Sequence, residues 1–139
     1  MSVRVLGAGL AVGTIWDLFT TFYGVASYFD LPLNPRINPV QFAFALVVTA
    51  VVCGFVMATH VIWNLKEDTP ALLVKAAWAV SVAIDLATSW EGTKHFVFYG
   101  EEAEATRSIG LAVVTALIVS STIFLSRLVL KDARGGLNA

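Results

Sequence analysis

One cysteine, Cys53, occurs in 139 residues, and it stands in the middle of an apolar run. An internal disulfide and a cysteine metal cluster are both excluded, and the thiol reads as a small apolar filler. The chain also lacks a His-Glu-x-x-His pattern, a Gly-rich phosphate loop and an intramembrane histidine pair suited to haem. Gly7-Ala8-Gly9 fails as a dinucleotide fingerprint, because no strand precedes it and it opens an apolar run. No enzyme activity or cofactor is therefore expected, and none of these patterns assigns a metal site. Charge is scarce too, at 14% of residues. The short, mildly basic stretch over residues 131–139 suits contact with anionic lipid and is too small to recognise nucleic acid.

What fills the chain instead is apolar: 58% hydrophobic residues and a mean hydropathy of +0.78, more apolar surface than one soluble core can hide. Runs over residues 5–28, 40–65, 72–90 (with an extension to Tyr99) and 109–130 each reach the roughly 20 residues needed to cross a hydrocarbon core. They are continuous and lack period-two alternation, which excludes a β-barrel. Arg4 before an apolar run and small residues near Ala26 give the N-terminus a superficial likeness to a signal peptide. Its apolar part is too long and contains Asp17, so a retained anchor is expected.

Arg4, Lys66, Lys75, Arg127, Lys131 and Arg134 fall on one side of the resulting topology, and Arg36, Lys94 and Arg107 on the other. The positive-inside rule then places both termini in the cytoplasm, with the inner membrane as the expected location. Glu91, Glu101, Glu102 and Glu104 cluster on the outer side, read as a solvated loop or as a vestibule that concentrates cations. The proline-bearing stretch 31–39 reads as a rigid turn, with Pro39 starting the second helix. His95, followed by aromatic residues, reads as an outer aromatic cap.

Two of the runs carry the same polar device. Asp17-Leu18-x-Thr20-Thr21-x-x-Gly24 recurs as Asp85-Leu86-x-Thr88-Ser89-x-x-Gly92, with every matched pair 68 residues apart (85 − 17 = 68). The likeness extends over residues 8–24 against 76–92, through Ala8/Ala76, Ala11/Ala79 and Val12/Val80. The expected fold is thus an all-α integral membrane protein, one domain over 1–139. Its four transmembrane helices form a tandem duplication of a two-helix hairpin, repeat 1 about 5–65 and repeat 2 about 72–130. Two-span units enter the membrane in the same direction, so a pseudo-twofold axis along its normal should relate them and set the acids at one depth.

Steps of three and four place Gly9, Gly13, Asp17, Thr20 or Thr21, and Gly24 on one helix face. Ala77, Ser81, Asp85, Thr88 or Ser89, and Gly92 share the equivalent face. Gly9, Gly13, Gly24, Ala77, Ser81 and Gly92 are expected to pack helices closely. A central Asp costs about 2.5–3.5 kcal/mol to insert, and no Lys or Arg lies at its depth. A shared proton, a bound cation, water or hydroxyl donors must therefore neutralise the pair. Asp17, Asp85, Thr20, Thr21, Thr88 and Ser89 are read as an ion- or proton-binding site, with His60 as a candidate relay and Thr115, Ser120, Ser121, Thr122 and Ser126 as packing or pore-wall hydroxyls. The expected function is a channel or transporter for a small cation or proton, working as a homo-oligomer. The alternatives are an accessory or scaffold subunit of a larger membrane complex and a pore-forming lysis or defence protein.

Overall fold

A computed structural model describes residues 3–98 and 105–137. They form α1 (Val3–Tyr28), α2 (Pro39–Met57), α3 (Thr59–Trp63), α4 (Thr69–Phe98) and α5 (Ala105–Leu137), with no strand among the described residues. Four of these helices, α1, α2, α4 and α5, are long and apolar enough to cross a membrane, as an integral membrane protein requires. Tyr99 and the glutamates at 101, 102 and 104 lie outside the described residues.

The bundle is polar inside and apolar outside. On α1, Val12 and Ile15 are exposed while Thr14, Asp17, Thr20 and Thr21 are buried, and α4 repeats this with Val80 outside and Ser81, Asp85 and Ser89 inside. In lipid this arrangement costs nothing on the outer face, and it brings small residues into the helix contacts where close approach is rewarded. α1 packs against α4 and α5, and α4 packs in turn against α2.

Local signals explain the helix ends. Leu31 N–H donates to Ala26 O and Asp30 N–H to Ser27 O, the paired bonds of a Schellman motif, with Asp30 at φ 52° in the left-handed position that glycine usually takes. α2 starts as expected. Asn38 caps it by accepting from Gln41 N–H at 3.1 Å, and Pro39 fills the first turn. Asp68 likewise accepts from Ala71 N–H at 2.8 Å at the start of α4.

One expectation is corrected. The run over 40–65 is not a single helix: α2 stops at Met57, Ala58 stands between with ψ 2°, and α3 resumes at Thr59. The carbonyls freed there are met by hydroxyls, Val56 O by Thr59 and Met57 O by Ser126 of α5. Trp78 of α4 then donates to the Thr59 hydroxyl at 2.8 Å. Side chains that replace ladder bonds in this way are a recognised cause of helix breaks.

Candidate functional site: a hydroxyl-bridged carboxylate pair

Asp17 and Asp85 occupy the middle of α1 and α4, and neither has any accessible surface. At 1.5 Å per residue, Asp17 lies about 20 Å along the helix from Arg4, well inside the hydrocarbon. The helices that carry them touch through backbone. A Cβ built on Gly24 would lie 2.6 Å from Thr88 Cα, and one built on Gly92 would lie 2.7 Å from Thr20 Cα. These two contacts exchange under the 68-residue offset. Thr20 and Thr88 also repeat one another: Thr20 donates to Trp16 O and Asp17 O, and Thr88 donates to Ile84 O and Asp85 O.

The close crossing lets hydroxyls of one helix reach the acid of the other. Ser89 Oγ donates to Asp17 Oδ1 at 2.8 Å, and Thr21 Oγ1 bonds Asp85 Oδ1 at 2.7 Å. The two hydroxyls lie 3.1 Å apart, and either can donate to the other. An unbroken file of four oxygens therefore joins the acids: Asp17 Oδ1, Ser89 Oγ, Thr21 Oγ1, Asp85 Oδ1.

The outer oxygens differ. Thr122 of α5 donates to Asp17 Oδ2 at 2.7 Å, whereas Asp85 Oδ2 is buried with no hydrogen-bond partner among the described residues. The reason lies in the helices that flank each acid. Buried Ala45, Thr49, Cys53 and Val56 of α2 have the same spacing as buried Leu111, Thr115, Val119 and Thr122 of α5, each 66 residues on (111 − 45 = 66). The position that supplies a hydroxyl to Asp17 is thus a valine beside Asp85. Cys53 approaches Asp85 Oδ1 only at 4.0 Å, a weak thiol contact.

The sequence expectations divide accordingly. Asp17, Asp85, Thr21 and Ser89 come together as one cluster; the Thr20 hydroxyl bonds its own helix carbonyls and also reaches Ser89 Oγ at 3.4 Å, while that of Thr88 is directed to Ile84 O and Asp85 O. Gly24 and Gly92 form the crossing, Gly13 packs on Ser121, and Ser81 is buried. Ala77 is half-buried. Gly9 is exposed in the single chain, and a Cβ there would meet nothing within 4 Å. Thr122 is the carboxylate partner that sequence reasoning left among generic hydroxyls. His60 lines a separate cleft with Arg127 and Lys131, a group that includes neither acid. His95 stacks on Tyr23 at 4.3 Å, and Phe96 packs edge-on to Tyr23 and Trp16, an aromatic cluster as its sequence suggests.

Among the described residues no three His, Cys, Asp or Glu side chains converge as a metal cage. A hard divalent cation is served by six to eight oxygens. The file of oxygens between the acids can hold or pass hydrogens. No protein-family model, no curated protein and no solved structure matches the chain.

Proposed function

We propose that the protein is a proton transporter in which Asp17 and Asp85 form the exchange site within the membrane and Thr21 and Ser89 the relay between them. The file of four oxygens carries this reading. It has three links, of 2.8, 3.1 and 2.7 Å, but Ser89 and Thr21 own only one hydroxyl hydrogen each. With both acids ionised, one link has no hydrogen and two anions share a medium of low dielectric constant. One added proton fills all three links at once, and every hydrogen can then shift along the file to carry the proton from one acid to the other.

The outer oxygens give the relay a resting direction. Asp17 accepts from Ser89 and Thr122, so it is the better supported anion. The hydrogens then run from Asp85 to Thr21, to Ser89, to Asp17, and Asp85 Oδ2 is left as the carbonyl oxygen of a neutral acid. An unpartnered carbonyl oxygen is far cheaper to bury than an unpartnered carboxylate oxygen.

The tandem duplication of a two-helix hairpin is part of the same proposal. Reciprocal Gly24–Thr88 and Gly92–Thr20 contacts support it, whereas the buried positions of α2 and α5 correspond at an offset of 66 rather than 68. The positive-inside count supports cytoplasmic termini. The Gly–Thr crossing also favours a second reading, in which the network only holds helices together within a larger assembly, since tight small-residue crossings serve that end by themselves.

Proton flux into liposomes separates the two. Asp17→Asn and Asp85→Asn each keep the shape and the acceptor oxygen but cannot release a proton. Each is expected to reduce flux by at least tenfold, and the double variant to abolish it, while all three remain folded. Undiminished flux in the double variant refutes the proton reading. Absence of flux from the wild type, with co-isolation of a larger complex, establishes the scaffold.

A further inference from the structure

We propose that the cleft between α1, α3 and α5 binds an anionic phospholipid. The cleft has a volume of about 660 Å³ and is lined by Leu6 and Leu10 of α1, His60 of α3, and Phe124, Arg127 and Lys131 of α5, among others. Among the described residues that line it, none is acidic. Phe124, Arg127 and Lys131 follow steps of three and four, so they share one face of α5, and Leu6 and Leu10 share one face of α1.

The position of these residues decides between a lipid and a small soluble anion. Lys131 ends the apolar span of α5 (Ser108–Lys131), and Leu6 stands two residues inside the start of the α1 span (Arg4–Tyr28). The cleft thus sits where the bilayer changes from acyl chain to headgroup. Leu6 and Phe124 are 41% and 56% exposed, an apolar wall that a phosphate ion alone would leave uncovered and an acyl chain would cover. Arg127 and Lys131 supply two positive charges at the same mouth, with the Arg guanidinium able to grip a phosphate through two parallel bonds. Basic pockets between helix ends are the usual receptors for anionic headgroups. The occupant is accordingly a phospholipid with its phosphodiester at Arg127 and Lys131 and one chain along Leu6, Leu10 and Phe124. This inference is independent of the proton reading.

The test uses the full chain in detergent, mixed with equal amounts of phosphatidylglycerol and phosphatidylcholine bearing identical chains, with retained lipid counted by native mass spectrometry. The wild type should retain phosphatidylglycerol in preference. Each cation near the surface is worth about fivefold, so Arg127→Gln with Lys131→Gln should reduce the preference roughly 25-fold, whereas the charge-keeping Arg127→Lys with Lys131→Arg should largely retain it. Equal retention of the two lipids by the wild type overturns the proposal. So does a preference that survives in the double glutamine variant, or displacement of the lipid by an equal concentration of glycerophosphate, which would mark a site for soluble anions.

Discussion

Adding a single methyl group at Gly24 should both loosen the bundle and stop the relay. The Cβ of Gly24→Ala would lie 2.6 Å from Thr88 Cα and Thr88 Cβ, where ordinary contact is 3.4–4 Å. Two of the three atoms in its way are backbone, so no rotamer change relieves the clash and α1 must retreat from α4 by about 1 Å. The Thr21–Ser89 link is 3.1 Å and lies within a turn of the crossing, so the same retreat carries it past the hydrogen-bond limit of about 3.5 Å. Overpacking costs about 1–3 kcal/mol and each stretched bond about 1 kcal/mol more, for a loss of roughly 2–4 kcal/mol. Reversible unfolding in mixed micelles reads the stability, and proton flux in liposomes reads the relay. Gly92→Ala should behave alike, because its Cβ meets Thr20 backbone in the same way. Gly9→Ala and Gly54→Ala, where nothing lies within 4 Å, should stay within about 0.5 kcal/mol of the wild type. Thr88→Gly should fail to rescue Gly24→Ala, since it removes a side chain and leaves the obstructing backbone. A Gly24→Ala protein of unchanged stability, or one rescued by Thr88→Gly, would refute the reasoning.

Two further outcomes follow from the asymmetry of the site and from the first helix end. Infrared spectra of the wild type should contain one protonated-carboxyl C=O band that Asp85→Asn removes; combining Thr122→Val with Val56→Thr should transfer that band to Asp17, and a band unmoved by the exchange would refute the role given to Thr122. Asp30→Gly, which relieves a left-handed φ of 52° at the end of α1, should raise stability by about 0.5–1 kcal/mol in the same unfolding assay.

The acids and their register were legible in the sequence because a hydrocarbon span tolerates few charges, so any that recur at a fixed offset stand out. The start of α2 at Pro39 was legible for a similar reason, because the first turn of a helix is local chemistry, whereas the start of α4 after Asp68 lies before the run read from residue 72. The choice between Thr20 and Thr21, or Thr88 and Ser89, was not. Adjacent residues on a helix point about 100° apart, and only the crossing of α1 with α4 decides which of them faces the other acid. Thr122 stands 105 residues from Asp17, and a threonine in a transmembrane span has many uses, so nothing in its neighbourhood marks it as a carboxylate partner. The break at Ala58 has neither proline nor glycine at its centre. A serine on another helix meets the Met57 carbonyl there, a tertiary contact invisible to local propensity.

The difference between the two acids also bears on whether the network is cement or conductor. A bundle that needed only cohesion would gain as much from amide and hydroxyl pairs, without the insertion cost of two carboxyl groups. A relay has a further need: its two ends must differ in free energy by enough to define a resting state, yet by little enough for thermal exchange. Thr122 supplies such a gap. One hydrogen bond to a charged group is worth about 1.5–3 kcal/mol, which corresponds to a population ratio of roughly 10 to 150 between a proton on Asp85 and a proton on Asp17. The reciprocal Gly24–Thr88 and Gly92–Thr20 contacts bring α1 and α4 into backbone contact, and the proposed shift of hydrogens along the file requires no movement of the helices. Close spacing around a small energy gap is what a two-ended proton carrier requires, and helix cement has no use for the gap.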